Sequence, residues 1–367
     1  FQMVCSTAIL TSSLALSLLR HSSPANQSFV LSPFSLNTAL SIVHDGASGD
    51  TQKELTNLLL NGCTPFDVTN FYSSLAHKIS STNGVIFKSA NRFYVDDSIS
   101  LKNDYQQHIE EKYKVKVENI NLRNKENAAS TMNGFVNEAT NGMIRKIFNA
   151  DSISDDALSY LINAIYFHGK WATSFDASDT RPRPFKGHGG ERSIDFMSLN
   201  KKKFRINSND IGTVLIMPYR DEKFSFFFLM PDESSNLELM RNYLTGEKLL
   251  DVLRKAESKE VTIIVPKFKF ESTLDGAELL QKLGVKSVFS DGANLSKVSS
   301  TRLKISKVIH KAVIEMDEQG TKAAAVTSVG VYRAMSALPT PQFIIIDRPF
   351  LFGIIRNEDI LFMGQFV

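Results

Sequence analysis

The most informative segment of this chain runs from Glu318 to Ser336 and reads EQGTKAAAVTSVGVYRAMS. A strand-like run (305–316) precedes it, and a second run opens near Gln342. Between them lie about twenty residues without a helix or strand pattern of their own, and ordered connections of that length are usually functional. We therefore expect an exposed functional loop at about 319–341.

The side chains of this loop alternate in a way that suits burial on one face. On a strand, successive side chains point to opposite faces. One face would carry an uncharged set without proline, namely Thr321, Ala323, Ala325, Thr327, Val329 and Val331. The only charged residue between 321 and 332, Lys322, falls on the opposite face. The loop could therefore become a strand buried on one side.

Insertion of such a loop into a sheet would be nearly balanced in free energy. About twelve residues would gain on the order of 10–20 kcal/mol from backbone hydrogen bonds, and ordering them would cost about 1–2 kcal/mol per residue. An unpaired charge on the buried face would cost several kcal/mol more and stall the process. Small neutral residues are thus what rapid insertion requires, although an ordinary surface loop with a chance alanine run is the alternative.

The whole chain of 367 residues, with 43% hydrophobic and 22% charged residues, has the composition of a soluble globular protein. A net charge of +3 is too small to indicate a nucleic-acid partner. The basic run Lys201, Lys202, Lys203 and Arg205 predicts a solvated turn or strand edge. Because no repeat or linker divides the chain, we expect one domain over residues 1–367.

Periodicity predicts helices mainly in the first half and strands mainly in the second, which favours an α+β fold. The helical patterns cover 36–44, 50–60, 67–79, 104–112 and 128–141. The strand patterns cover 84–95, 158–167, 213–217, 224–230, 261–270, 305–316 and 342–347, followed by a predicted hairpin of 350–355 and 360–367.

The apolar N-terminal stretch 3–19 lacks the basic segment and the cleavage site of a signal peptide, and its leucine spacing predicts a helix instead. Localisation stays open, extracellular if a leader has been removed and cytoplasmic otherwise. The two cysteines, Cys5 and Cys63, imply no disulfide framework. The sequons at Asn26 and Asn294 are glycosylation acceptors only in a secreted protein.

No arrangement of residues indicates catalysis. The seven histidines are scattered, without the spacing of a metal site. Residues 46–49 (GASG) lack the spacing of a nucleophile elbow, and no glycine loop of the phosphate-binding kind is present. We expect no enzymatic activity, no metal and no cofactor.

Six motifs, in order along the chain, resemble those of the serpin family of protease inhibitors. They are 29–36 (FVLSPFSL), 89–95 (SANRFYV), 135–144 (FVNEATNGMI), 163–171 (NAIYFHGKW), 310–312 (HKA) with Glu318, Gly320 and Thr321, and 347–352 (DRPFLF). The small residues of the loop are most similar to those of invertebrate inhibitory serpins. The resemblance implies three β-sheets, eight or nine helices, an exposed reactive-centre loop and a metastable native state.

The resemblance also implies a mechanism, which is inhibition of serine proteases as a suicide substrate. A protease attacks the loop and forms an acyl-enzyme, the freed loop inserts into the main sheet, and the protease is trapped. The protein supplies no catalytic group. The implied partner is a serine protease bound by a monomer, with no nucleic acid and no membrane involved.

Site residues follow from their positions in the motifs. The hinge of the loop corresponds to Glu318, Gly320, Thr321, Ala323, Ala324 and Ala325. A polar shutter beneath the sheet corresponds to Ser32, Ser35, Asn163 and His310, and Trp171 corresponds to the breach at its top. Lys322 departs from the usual glutamate, Val326 is bulkier than usual, and Phe135 replaces a usual tryptophan.

Three neighbouring bonds are candidates for cleavage. The usual spacing from Glu318 gives Ala334-Met335, a register one residue shorter gives Arg333-Ala334, and one residue longer gives Met335-Ser336. Arginine suits a trypsin-like pocket, whereas alanine or methionine suits an elastase-like or chymotrypsin-like pocket. Two other functions stay open, a non-inhibitory serpin (carrier, chaperone or storage protein) and an inhibitor of papain-like cysteine proteases.

Overall fold

The structure is a computed structural model that describes residues 6–60, 64, 70–75, 84–318 and 342–367. Nine α-helical segments lie within these residues: α1 (Thr7–Ser22), α2 (Pro33–Gly46), α3 (Gly49–Leu60), α4 (70–75), α5 (Asn103–Tyr113), α6 (Lys125–Ala139), α7 (Leu237–Tyr243), α8 (Gly246–Arg254) and α9 (Gly276–Lys282). None of the helices in this described part is both long and apolar enough to cross a bilayer.

The described strands number fourteen. They are β1 (Phe29–Leu31), β2 (Val85–Asp96), β3 (Lys116–Ile120), β4 (Ser159–Gly169), β5 (Arg181–Gly187), β6 (Gly190–Asn209), β7 (Gly212–Pro218), β8 (Phe224–Met230), β9 (Glu257–Pro266), β10 (Phe268–Asp275), β11 (Lys307–Met316), β12 (Phe343–Ile345), β13 (Phe350–Arg356) and β14 (Asp359–Phe366). The mixture of helices and strands confirms the expected α+β class.

The N-terminal stretch is helical, as its leucine spacing predicts. Ser6 caps α1 by accepting a hydrogen bond from the Ile9 backbone N–H at 3.4 Å. Leu10, Leu14 and Leu18 repeat at one-turn intervals and are buried. Residues 3–5, Cys5 among them, lie outside the described residues, as do Cys63 and most of the predicted helix 67–79.

Two strand predictions need correction. The run 261–270 is not one strand, because β9 ends at Pro266 and β10 begins at Phe268 in the other sheet. The 20-residue strand β6 was not predicted, since its many exposed charged side chains hide the alternation. By contrast, β8 has the predicted bounds, and β13 and β14 pair antiparallel as the predicted hairpin.

The five-stranded sheet has the order β10-β11-β4-β2-β3. Its central strand, β4, is buried on both faces: Leu161 and Ile165 point to the larger core, and Tyr160 and Ile162 point to a smaller core against α6. The larger core lies between this sheet and the second one, where Phe167 packs against Phe362 with ring centroids 6.1 Å apart. The sheet is therefore covered on both sides.

The second sheet is a nine-stranded ladder, β1-β14-β13-β8-β7-β6-β9-β12, with β5 paired to β6. The long strand β6 belongs to two parts of it, since its first half pairs with β5 and its second half with β7. A β-bulge between Leu199 and Lys202 separates the halves. The described strands thus form two hydrogen-bonded sheets, because β6 runs continuously from one part of the ladder to the other, whereas the family resemblance implies three.

The basic run on β6 is exposed, and in the described part of the chain Lys202 and Lys203 pair only with β9. The expectation of a solvated strand edge is therefore correct at this position.

Candidate functional site

The two central strands of the five-stranded sheet run parallel and define the candidate site. Their ladder extends from Lys307 opposite Tyr160 to Val313 opposite Tyr166. On the outer sides, β4 stays paired with β2 up to Gly169, and β11 stays paired with β10 up to Met316. Residues 167–169 of β4 and 314–316 of β11 thus lie beyond the end of their common ladder. We name this stretch the open end of the seam.

Trp171, predicted at the top of the sheet, lies just above the open end of the seam. Its indole stacks on Tyr219 with ring centroids 4.4 Å apart and an interplanar angle of 8°. Its Nε1–H donates to the Asp317 carbonyl oxygen at 2.9 Å. The residue is buried, so a rigid aromatic platform holds the chain where it leaves β11.

Glu318 is fixed by several contacts, and it is the last described residue before the predicted loop. Lys267 Nζ donates to Oε2 at 2.8 Å and to Oε1 at 3.0 Å, and the Thr180 hydroxyl donates to Oε1 at 2.7 Å. The Phe175 backbone N–H donates to the Glu318 carbonyl oxygen at 2.7 Å. The Glu318 residue is only 8% exposed, so it anchors the N-terminal end of the loop.

The pKa shifts of Glu318 and Lys267 both favour the ionised forms of this pair. Burial raises the pKa of the Glu318 carboxyl, but the hydrogen bonds from Lys267 and Thr180 outweigh burial and hold that pKa below its ordinary value. The hydrogen bond to Glu318 raises the pKa of the Lys267 ammonium. Both groups therefore stay ionised across the neutral pH range.

The far end of the loop leads into a three-residue strand at the border of its sheet. Strand β12 pairs parallel with β9, from Phe343 opposite Thr262 to Ile345 opposite Ile264. The Thr262 backbone N–H also donates to the Gln342 carbonyl oxygen at 3.0 Å. The predicted hinge residues Gly320, Thr321 and Ala323 to Ala325, and the candidate cleavage residues Arg333, Ala334 and Met335, lie outside the described residues.

The predicted shutter residues meet as one buried cluster. His310 on β11 lies opposite Asn163 on β4 in the ladder, and His310 Nδ1 is hydrogen-bonded to Asn163 Oδ1. The Ser32 backbone N–H donates to His310 Nε2 at 3.0 Å, so Nε2 accepts and Nδ1 carries the proton. Burial lowers the pKa of His310 to about 3. The imidazole is therefore neutral at physiological pH.

The remaining contacts tie this cluster to helix α2. The Ser32 side chain caps α2 by accepting from the Ser35 N–H at 3.1 Å, and its hydroxyl donates to the Leu361 carbonyl oxygen at 2.6 Å. Asn163 Nδ2 donates to the Ser35 carbonyl oxygen at 2.9 Å. Because His310 and Asn163 join β11 to β4, separation of these strands must break the cluster.

Sequence reasoning missed several members of the site. Asn91 accepts a hydrogen bond from Asn163, and Ser89 Oγ lies 3.1 Å from Ser35 Oγ. Both residues lie in the motif 89–95, so the resemblance of that motif to the serpin family could have identified them. Lys267 and Thr180 carry no such signal, because Lys267 is 51 positions away from Glu318 in sequence.

Comparisons with known proteins agree with this geometry. The family model described as "Serpin (serine protease inhibitor)" matches residues 10–367. Iripin-2 from Ixodes ricinus is 33% identical over 345 residues, which cover 91% of this chain and 86% of that protein. Leukocyte elastase inhibitor from Bos taurus is 34% identical over 366 residues, which cover 96% and 95%.

The fold is also similar to solved structures. The thermophilic serpin Tengpin in its native state matches with a TM-score of 0.90 and 28% identity, covering 100% of this chain and 95% of that one. The family description and the name of the Bos taurus relative denote protease inhibitors rather than enzymes. The family match over nearly the whole chain confirms the resemblance of the six motifs: this protein is a member of the serpin family.

Proposed function

We propose that this protein inhibits serine proteases as a suicide substrate, with residues 319–341 as the bait loop. The observation that carries the proposal is the open end of the seam. Both central strands extend beyond their common ladder directly beneath Glu318, where the chain leaves β11. Unpaired strand edges accept an added strand through main-chain hydrogen bonds.

The direction of the strands suits an incoming loop. β4 and β11 are parallel, so a segment that turns back after Glu318 runs antiparallel to both. It would exchange one parallel ladder for two antiparallel ladders, which are slightly more stable per residue. Its inward face would carry the small neutral residues noted above, so that no charge is buried.

The chemistry of inhibition is supplied by the protease. The serine of the protease attacks the carbonyl carbon of the bait residue and forms an acyl-enzyme, while the protease histidine protonates the amine of the next residue as the C–N bond breaks. The C-terminal piece then stays held by β13 and β14 in the nine-stranded sheet. The bait then has a free end that is covalently joined to the protease. Entry of the bait into the seam then carries the acylated protease along the sheet before water hydrolyses the acyl-enzyme ester.

The target class depends on the bond that is cut. Cleavage after Arg333 suits a trypsin-like protease, and cleavage after Ala334 or Met335 suits an elastase-like or chymotrypsin-like protease. The similarity to a protein named as an elastase inhibitor supports an elastase-like target. The proposal takes residues 1–367 as a single domain that acts as a monomer. Pairing of β1 with β14 supports the single domain, because it joins an early and a late strand of the chain in one sheet.

The test is incubation of the protein with trypsin and with elastase, followed by denaturing electrophoresis and mass spectrometry of the C-terminal peptide. We expect a band of protein plus protease mass that survives denaturant, and the peptide identifies the cut bond. A protease whose serine is chemically blocked should give no such band. Clean cleavage without a complex by every serine protease tried would support a non-inhibitory function, and a complex with papain alone would support the cysteine-protease alternative.

A further inference from the structure

A carboxylate lies on the outer face of the open end of the seam, the face that α6 covers further down the sheet. Glu315 on β11 is on the same face as Ile309 and Val313, which pack in the smaller core. It lies two residues beyond the last rung of the common ladder, Val313 opposite Tyr166. Its side chain is 25% exposed. A strand that entered the seam would therefore pass beside this carboxylate.

The carboxylate is held in place from one side before any strand arrives. Lys269 on β10 lies opposite Glu315 in the antiparallel ladder, and its Nζ donates to Oε2 at 2.9 Å. The ladder continues for one further rung, Phe268 opposite Met316. An ionised carboxylate accepts several hydrogen bonds, so Oε1 can accept from a second cation on the side of the seam.

Across the seam, the residue of β4 that is level with Glu315 is His168. The rung of Val313 and Tyr166 fixes this level, because both residues lie two positions further along parallel strands. Burial, with a smaller contribution from Lys170, lowers the pKa of His168, and the Glu315 carboxylate opposes this shift only in part. The imidazole is therefore neutral at physiological pH and would not repel a cation that entered between the strands.

The contacts of Glu318 limit where an inserted strand can begin. Lys267 and Thr180 hold its carboxylate, and the Phe175 N–H donates to its carbonyl oxygen. Glu318 therefore belongs to the connection that follows β11 and not to the inserted strand. Gly320, outside the described residues, would suit the end of this connection, because glycine adopts the backbone conformations of tight turns. The connection would then be 317–320, a common length in β-hairpins.

This connection determines which residues of the bait and of β11 would face each other. Residues directly opposite on antiparallel strands point to the same face. Thr321 would lie opposite Met316, which is buried in the larger core. Lys322 would lie opposite Glu315, on the outer face. The register agrees with the alternation of the bait, which turns Thr321 inward and Lys322 outward.

We propose that Glu315 receives Lys322 as the bait enters, and that this cross-strand ion pair sets the register of the inserted strand. The proposal rests on the proposed function and adds to it the partner of one bait residue. Opposite charges that face each other across strands attract, and like charges repel. The usual glutamate at position 322 would face the Glu315 carboxylate and be repelled, whereas the lysine of this chain is complementary to it.

The two neighbouring registers are less favourable. A shift of two residues in one direction would place Lys322 opposite Val313, which is buried beneath α6, so that the ammonium group would lose its water. A shift in the other direction would place Lys322 opposite Asp317 and move Thr321 from the buried face into the connection. The pair with Glu315 thus favours the register in which all the small neutral residues of the bait are buried.

The experiment exchanges the two charges. Wild type, Glu315→Lys, Lys322→Glu and the double exchange are incubated with trypsin and with elastase, and denaturing electrophoresis gives the ratio of cleaved protein to complex. Either single exchange should raise this ratio about threefold or more, because like charges would slow entry relative to hydrolysis. The double exchange restores the attraction and should return the ratio towards that of Glu315→Lys divided by its increase, that is, close to wild type. Effects of Glu315→Lys on Lys269 are the same with either residue at 322 and cancel in the comparison.

A matched control changes the net charge away from the seam. Lys203 lies opposite Glu260 in the nine-stranded sheet, so Lys203→Glu alters the charge of the chain as Lys322→Glu does. The ratio of cleaved protein to complex should stay at the wild-type value in this control. An increase equal to that of Lys322→Glu would overturn the proposal, because the effect would then follow from net charge alone.

The outcomes separate this proposal from the proposed function. If wild type forms the complex but the two single effects simply multiply in the double exchange, the ion pair is overturned and the inhibitory function stands. If wild type forms no complex with any serine protease tried, both are overturned. If Glu315→Lys does not fold, Glu315→Gln replaces it. Lys322→Glu should then raise the ratio less in the Glu315→Gln background than in wild type, and an equal rise in both would overturn the ion pair.

Discussion

His310 shows how a single buried side chain links the pH of the medium to the central seam. The pKa of its imidazole falls from 6.5 to about 3 on burial. Below pH 6.5 the unfolded chain therefore binds a proton that the folded chain does not. The contribution of His310 to the free energy of unfolding is fully present above pH 6.5. It falls by about 1.4 kcal/mol per pH unit as the pH drops towards 3.

The first prediction concerns His310→Gln. This variant should be less stable at pH 7.5, because a Gln side chain does not reproduce the hydrogen bonds of the imidazole to both Ser32 and Asn163. Its free energy of unfolding should fall less steeply than that of the wild type between pH 6.5 and 4.5. Urea unfolding at pH 7.5, 6.0 and 5.0 measures both effects. His21→Gln, a change at an exposed histidine, should keep the wild-type slope. Parallel slopes for His310→Gln and wild type would contradict the assignment.

The anchor at Glu318 titrates at both extremes of pH. The lowered pKa of Glu318 means that its contribution is present above the ordinary value of 4.5 and is lost as the pH falls through the lower folded value. The raised pKa of Lys267 means that its contribution is present below 10.5 and is lost as the pH rises through the higher folded value. The anchor is thus intact in the window between these limits.

The second prediction is that Lys267→Met weakens this anchor. Because Lys267 is partly exposed, we expect a loss of only about 1 kcal/mol. The sole tryptophan, Trp171, contacts Asp317 and reports the change through its fluorescence during urea unfolding. Lys269→Met breaks a more exposed pair with Glu315 and should have a smaller effect. An equal loss in both variants would show that Lys267 has no special role.

At the scale of elements, the proposed insertion depends on which face of the bait turns inward. The third prediction is that Thr321→Arg converts the inhibitor into a substrate, because a charge would enter the buried face. Cleavage should continue at a similar rate while the denaturant-resistant complex disappears. Ala324→Arg, on the opposite face, should still form the complex. Undiminished complex formation by Thr321→Arg would show that the assignment of faces is wrong.

Elements with a strong local pattern could be predicted from the sequence. β8 (FSFFFLM) combines β-formers with burial and has the predicted bounds. β6 could not be predicted, because pairing with β5, β7 and β9 stabilises it although many of its side chains are charged and exposed. The break at Lys267 was missed because consecutive strands there belong to different sheets, which is a tertiary property.

The candidate site shows the same division. His310, Asn163, Ser32 and Ser35 were predicted through family motifs, and the structure brings them together. Their pairing across β4 and β11 could not be read from one sequence, since it requires the register of two strands 147 positions apart. The ion pair of Glu318 with Lys267 was missed for the same reason.

At the scale of the whole molecule, a cut in the bait should not separate the two pieces. The C-terminal piece would contain β12, β13 and β14, and β13 and β14 lie between β8 and β1 inside the nine-stranded sheet. The fourth prediction is that the nicked protein elutes as one species in size-exclusion chromatography and separates only in denaturant. Elution as two species would contradict this placement.

Insertion of the bait should also change the melting temperature of the nicked protein. A gain of several kcal/mol, net of the cost of ordering the bait, would raise the melting temperature by about 5 °C or more, because 1 kcal/mol corresponds to about 1.3 °C in a chain of 367 residues. The control is the same protein nicked at a site outside the bait. An unchanged melting temperature after cleavage at the bait would contradict insertion.

The two ends of the bait are held by different kinds of contact. This difference affects how long an uncut molecule would keep its proposed inhibitory activity. Glu318 continues a ten-residue strand and is locked by an ion pair, whereas Phe343 begins a three-residue strand at the border of its sheet. Detachment of β12 would give an intact bait enough slack to enter the seam with no protease attached. In the proposed mechanism, the lifetime of the uncut active form would then depend on the short strand after the bait, and a firmer hold on Phe343 and Ile345 would lengthen that lifetime.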